Sequence, residues 1–299
     1  MSTKFKIWFL ETRPQFLLLS VVLVLLGTAI SCHQGHFDWL RFILTTLGLV
    51  LAHASVNILN DYFDYKSGID LETTQTPFSG GSGILPRGLL TSKGVYGFGV
   101  GCLLAALLIG IYLTVVSGWQ LLPLVIVGGL VIYFYTSYLA KWLAGEIWAG
   151  IGLGTLPVLG THFVQTGGYS LEALVASLAP GFLTVNLLLL NEFPDFAADK
   201  MGGRYHIVIA LGKRKACHLY AGLMAMTYLC IVASVVCKLM PPLTLIGLLS
   251  APFALKAIRT TFKHHNDLQK MIPALGANVI TVLSTDALLA LGYFLPRLL

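Results

Sequence analysis

Two groups of residues in this chain have types and spacings suited to holding a diphosphate through a metal ion. The first is Asn57, Asn60, Asp61 and Asp64, followed by Asp70. At about 100° per residue, Asn57, Asp61 and Asp64 fall within roughly 60° of one another on a helix. One helix face then presents an amide and two carboxylates. The second group is Asn191, Asp195 and Asp199. Its i, i+4, i+8 spacing draws another stripe that drifts by about 80°. Like charges stacked on one face repel, and a divalent cation removes that cost. Mg2+ takes oxygen ligands, keeps several waters and is usually held by one or two carboxylates plus substrate phosphates. Two stripes facing each other across a cavity therefore predict Asp61, Asp64, Asp195 and Asp199 as metal ligands. Solvated acidic helix ends would explain one stripe as well. Two stripes at equivalent places favour a site.

Other candidates lie close to the acids in sequence. Arg87 and Lys93 follow the first group, Lys200 and Arg204 the second, and Lys141 stands between them. Arg suits bidentate phosphate contact and Lys acts as a point charge. Singly, each is also explained by the excess of basic residues on the cytoplasmic side of membrane proteins. The run Pro77 to Gly83 is Gly-rich without the G-x-x-x-x-G-K-[ST] pattern of a phosphate loop, and reads as a flexible cover or a turn. Tyr133, Tyr135 and Tyr138 fit an interfacial aromatic belt or the stabilisation of a cation by a ring face. Glu146 fits a helix N-terminus, or a group that orients an acceptor or takes its proton. His53 lies one turn before Asn57 on the same face. His53, His162 and Asp286 all fall inside apolar runs, where ionisable groups are functional candidates.

The elements that must position these residues are membrane helices. Of 299 residues, 56% are apolar and 11% charged, against roughly 25% charged in soluble domains. The chain reads as all-α and polytopic, a single integral-membrane domain over residues 1–299. Nine spans are expected, with cores at Phe16–Ile30, Trp39–Leu59, Val95–Val116, Leu121–Tyr138, Ile147–Val164, Leu171–Leu190, Cys217–Val236, Leu243–Ile258 and Ile272–Leu295. With the N-terminus in the cytoplasm, sixteen Lys and Arg fall inside, and only Arg41, Lys238 and Arg297 fall outside, as the positive-inside rule requires. The net charge of +6 is thus a topology signal and does not call for nucleic acid. No cleavable leader is expected, because the first apolar run is full length. The five cysteines form no C-x-x-C pair and read as packing residues. The longest connections, about 60–94 and 191–216, are both cytoplasmic and hold the acids. In each half an even-numbered span ends in Asn plus spaced acids, which suggests two four-helix halves and a ninth helix. No obligate protein partner is evident.

The paired motifs resemble the UbiA superfamily of intramembrane prenyltransferases, which shows an N-D-x-x-D type first motif and a D-x-x-x-D second motif on nine helices. The matching residues are Asn60, Asp61, Asp64 and Asp70, then Asp195 and Asp199, and the likeness covers nearly the whole chain. Pro77 to Gly83 with Gly88-Leu89-Leu90, and Leu159 to Gly167, resemble the 1,4-dihydroxy-2-naphthoate polyprenyltransferase branch of menaquinone biosynthesis. The sequence departs from that branch after the second motif, where His206 replaces a Thr and Ala210 a basic residue. The resemblance implies Mg2+-dependent transfer of a polyprenyl group from its diphosphate to an aromatic acceptor. Asn57, Asn60 and Asn191 would support the diphosphate. Lys141, Lys200 and Arg204 would neutralise its leaving charge. The enzyme would sit in the cell membrane with its site facing the cytoplasm. Another acceptor, such as 4-hydroxybenzoate, stays open. So does a membrane cation transporter, although transporter sites tend to lie near the bilayer midplane. A lipid-binding scaffold gives no reason for two metal-type stripes.

Overall fold

A computed structural model describes residues 3–141, 143 and 145–297. Helices form its regular structure, and no strand occurs among the described residues. A short helix, α1 (Thr3–Glu11), precedes α2 (Pro14–His33), α3 (Trp39–Ser67) and the one-turn α4 (Ile69–Glu72). Next come α5 (Ser92–Ser117), α6 (Leu122–Phe134) and α7 (Gly145–Gly150), the last running through a π-helical stretch, Ile151–Thr155, into α8 (Leu156–Thr166). The chain ends with α9 (Leu171–Met201), α10 (Ile207–Leu211), α11 (Lys213–Val236), a 3-10 run at Pro242–Ser250 leading into α12 (Ala251–His264), and α13 (Leu268–Phe294).

Eight of these segments are long and apolar enough to cross a membrane: α2, α3, α5, α7 through α8, α9, α11, Pro242–His264 and α13. The protein is a multi-pass membrane protein. The expected fourth span falls on the shorter apolar segment Trp119–Phe134. At about 1.5 Å per residue this covers roughly 24 Å, less than the ~30 Å hydrocarbon core.

Local chemistry sets the helix ends. Asp38 Oδ1 accepts the Arg41 N–H at 2.8 Å, and Ser170 Oγ accepts the Ala173 N–H at 3.1 Å, which caps α3 and α9. Gly68, at φ 85°, stops α3 in the left-handed region. Both Asp stripes are helical, although the sequence placed them at the edge of long connections. Helices α3 and α9 run past their apolar cores to Ser67 and Met201. At 31 residues, α9 spans roughly 46 Å, so its last turns outrun the bilayer core.

Helix α3 packs along α5, α9 along α11, and α12 against α13, which in turn lies against α2 and α9. The last spanning helix thereby packs on the first spanning helix, α2, and closes the bundle. Helix α9 meets the π-helical stretch at small residues. A Cβ on Gly154 would come within 2.7 Å of Gly181 Cα and of the Pro180 carbonyl oxygen. The irregular backbone there is satisfied internally, as lipid demands. Thr184 Oγ1 donates to the Leu153 carbonyl at 3.1 Å, and Thr155 Oγ1 donates to the Ser177 carbonyl at 3.3 Å, beside Pro180.

Candidate functional site

The two stripes meet. Arg204 leaves the end of α9 through a turn in which Gly203 has φ 78°. Its Nη1 donates to Asp199 Oδ1 at 3.0 Å and its Nη2 to Asp64 Oδ1, so one guanidinium joins α9 to α3. A second guanidinium arrives from the N-terminal side. Arg13 sits at φ 51° between α1 and α2, a left-handed conformation that costs a non-glycine residue roughly 1–2 kcal/mol. That conformation carries its Nη2 to Asp61 and, at 3.2 Å, to Asn60 Oδ1. Asn60 Nδ2 donates onward to Asp64 Oδ2 at 2.9 Å and to Thr136 Oγ1 at 3.2 Å.

The Gly-rich run folds over these acids. The Ser82 N–H donates to Asp61 Oδ2 at 2.9 Å, and its Oγ–H donates to Glu11 Oε2 at 2.9 Å. Gly81, at φ 70°, lies so close that a Cβ there would meet Asp70 Oδ2 at 3.0 Å and Arg13 Nη2 at 3.3 Å. The tight cover needs glycine on both counts.

Six acids, Glu11, Asp61, Asp64, Asp70, Asp195 and Asp199, therefore gather around two arginines. Burial pushes the Glu11 carboxyl up to about 7, with Ser82 and Arg13 opposing and Asp70 adding to the rise. Burial and the Asp64 charge likewise push Asp70 up to about 7. Burial works against the Arg204 guanidinium, but Asp64 and Asp199 outweigh it and raise its pKa further. Asp195 Oδ1 and Asn191 Oδ1 are buried oxygens that no hydrogen-bond donor among the described residues reaches. Excess carboxylate plus two unsatisfied oxygens is a donor set that fits Mg2+.

Below the acids runs a cavity of about 370 Å³. Arg13, His53, Asn57, Asn60, Tyr135 and Asn191 line its polar end. The remainder is almost wholly apolar, with Leu107, Val125, Ile132, Trp148, Leu153 and Leu187 among its walls. Its lining follows α3 from Asn60 back to Thr45, a run of roughly 22 Å at about 1.5 Å per residue. His53 Nδ1 is held 2.9 Å from Ser20 Oγ, Asn57 Nδ2 donates to the Thr12 carbonyl at 3.0 Å, and Tyr135 Oη donates to the Gly145 carbonyl at 3.4 Å.

Arg87, Tyr138, Lys141, Glu146 and Lys200 belong neither to the acid cluster nor to the cavity wall. Each has a local reason. Lys200 follows Asp199 on an unbroken helix, so it points about 100° away from the stripe and is exposed. Tyr138, 61% exposed, stands outward on the turn after α6. Lys141 is exposed beyond it. Arg87 is exposed and donates to Gln75 Oε1 at 2.7 Å. Glu146 is fully buried, and its Oε1 accepts the Ile207 N–H at 2.7 Å.

Sequence reasoning singled out Ser82 within the Gly-rich cover but missed Arg13, Glu11 and Thr136. For Arg13 the one available signal was a basic residue immediately before Pro14, which had counted only towards topology. The others carry no signal until the chain folds.

The UbiA prenyltransferase family profile matches residues 20–275. The chain is 29% identical over 288 residues to the 1,4-dihydroxy-2-naphthoate octaprenyltransferase of Bacillus subtilis (strain 168), covering 94% of this chain and 90% of that one. Its fold is similar to the apo structure of a UbiA homologue from Aeropyrum pernix K1, with a TM-score of 0.73 at 14% identity, over 95% of this chain and 98% of that one. A UbiA homologue from Archaeoglobus fulgidus bound to GPP and Mg2+ superimposes with a TM-score of 0.63 at 12% identity, over 95% of this chain and 99% of that one.

Proposed function

The chain belongs to the UbiA prenyltransferase family, and on that premise we propose that this prenyltransferase moves a polyprenyl group from its diphosphate to 1,4-dihydroxy-2-naphthoate at the cytoplasmic face of the cell membrane. The observation that carries the reading is a single arginine, Arg204, joining the two Asp stripes directly above an apolar cavity. A charged head and a lipid tail are accommodated end to end. The Bacillus relative's name supports the acceptor, and the Archaeoglobus complex supports a prenyl diphosphate with Mg2+.

Asp61, Asp64, Asp195 and Asp199 would hold Mg2+, and the unpartnered Asn191 Oδ1 would support the diphosphate. Bound there, Mg2+ supplies positive charge where the leaving diphosphate gathers negative charge. Arg13 and Arg204 exchange carboxylate for phosphate oxygens, which a guanidinium grips in bidentate fashion. The exposed Lys141 and Lys200 add positive charge at the rim. The bond between the prenyl C1 and the diphosphate oxygen breaks, and its electron pair leaves with the diphosphate. The apolar walls keep water from the allylic cation. Tyr135, on the wall at the polar end, offers that cation a ring face. His53 and Asn57 line the space left for the aromatic acceptor. The ring carbon bearing the carboxylate attacks C1, and CO2 departs, returning its bonding pair to the ring. One domain carries the whole reaction.

Purified protein with Mg2+, a labelled polyprenyl diphosphate and a panel of aromatic acceptors tests this. Prenylated naphthoate product should form, and should vanish with EDTA and in Asp61→Asn and Asp195→Asn. Full activity in both variants would sink the metal assignment. Prenylation of 4-hydroxybenzoate alone would replace the acceptor. Divalent-cation flux in liposomes without any prenylation would replace the reaction.

A further inference from the structure

Beside the Asp cluster, away from the cavity wall, lies a second set of metal-type groups that the proposed reaction does not use. Glu146 is on α7, Glu192 on α9, and His206 caps α10. One ligand atom from each lies within 4.8 Å of the other two. The residues are 0%, 8% and 3% exposed. Buried carboxylates need donors or a cation, and these two fall short. The two carboxyls lie against each other. Glu146 Oε1 has the Ile207 N–H, but among the described residues no backbone or other side-chain donor reaches Glu146 Oε2 or Glu192 Oε2 with hydrogen-bond geometry.

The imidazole does not close the gap. The Ile209 N–H is directed at His206 Nδ1 from 3.4 Å. Nδ1 also lies 3.3 Å from Glu192 Oε2, and the contact lacks hydrogen-bond geometry. At 3.4 Å the Ile209 contact is weak and leaves Nδ1 free for a stronger partner. On the far side of the ring, Nε2 lies 3.4 Å from Asp199 Oδ2, near it but without hydrogen-bond geometry. A carboxylate behind the distal nitrogen is the usual support for a metal-bound histidine, because it fixes the tautomer and the ring orientation.

We propose that Glu146, Glu192 and His206 form a second divalent-metal site, separate from the Mg2+ site at the Asp stripes, which takes a transition ion such as Zn2+. Ligand chemistry separates the two. Mg2+ selects oxygen donors, whereas imidazole with carboxylates suits Zn2+ and its first-row neighbours. Three protein ligands leave one position to water. The ion neutralises two buried carboxylates, ties α7, α9 and α10 together, and through His206 steadies Asp199.

The full chain, stripped by chelator and dialysed against Zn2+ without Mg2+ or substrate, tests the site by metal content. Wild type and Asp195→Asn should each retain about one Zn2+ per chain. His206→Gln and Glu192→Gln should need about tenfold or more free Zn2+ for the same occupancy. Full Zn2+ retention by His206→Gln overturns the proposal, and so does its loss in a folded Asp195→Asn. X-ray absorption at the zinc edge of wild type needs no variant to fold. It should give imidazole nitrogen and carboxylate oxygen at about 2.0–2.2 Å. Sulfur at about 2.3 Å, or a shell without imidazole, overturns the assignment. None of these readouts depends on prenyl transfer, so a failure of the proposed reaction leaves them intact.

Discussion

At the scale of single residues, the site is a contest among charges for a few buried oxygens. Arg204 holds Asp64 and Asp199 together, and in the proposed reaction it turns to the diphosphate. Arg204→Ala should lower kcat/KM for the prenyl diphosphate by about 10²–10³-fold, the range for losing one donor to developing charge. Arg204→Lys should recover part of this, because it restores the charge without the fork. Steady-state kinetics on both variants checks the order. Glu11 gives a pH signature. Its carboxyl is pushed from 4.5 up to about 7 by burial, so between those values the folded protein holds more protons than the unfolded one. Stability therefore falls as pH rises through that window. In Glu11→Gln the fall in thermal midpoint from about pH 5 to about pH 7.5 should be shallower, with the remainder belonging to Asp70, also raised to about 7. A thermal-shift series on the two proteins reads this directly.

At the scale of elements, the cavity depends on a close helix crossing. Helix α9 approaches the π-helical stretch at Gly154 and Gly181, with backbone atoms where a Cβ would stand. Small residues at membrane helix crossings permit this approach. Backbone cannot swing aside like a flexible side chain, so Gly154→Ala should cost about 1–3 kcal/mol. Thermal unfolding in detergent should show it as a lowered midpoint. Thr184→Val, which removes only the hydrogen bond to the Leu153 carbonyl, should cost less, about 0.5–1.5 kcal/mol. The sequence exposed the glycines but not their pairing, since Gly154 and Gly181 meet only once α9 docks.

At the scale of the whole molecule, the distribution of basic residues orients the bundle. Cys237 is exposed just beyond α11, beside Lys238, on the side read as outside. In a background lacking the other four cysteines, a membrane-impermeant maleimide should label Cys237 in intact cells. Lys200→Cys, in a background without Cys237 as well, should label only after permeabilisation. The reverse pattern would invert the topology and place the Asp stripes outside. The helices, most of their bounds and both Asp stripes were legible because each is a local pattern: an apolar run, a cap, a 3.6-residue period. The shortness of the expected fourth span is equally local, since Trp119–Phe134 falls short of a bilayer whichever way it packs.

The sequence by itself determined the membrane character, the two stripes and the family, because periodicity and motif wording survive without knowledge of contacts. Only the tertiary structure decided which cations serve the acids. Arg13 and Arg204 reach Asp61 and Asp64 across 48 and 140 residues of chain, the first through a left-handed backbone and the second through a glycine turn. Lys200, the nearer neighbour in sequence, faces outward because α9 stays helical through Met201. The same docking buries Glu146 against Glu192 and His206, three residues that no spacing rule would group. Adjacency along a helix follows from its period, whereas contact between helices follows from turns and packing that no short window of sequence contains.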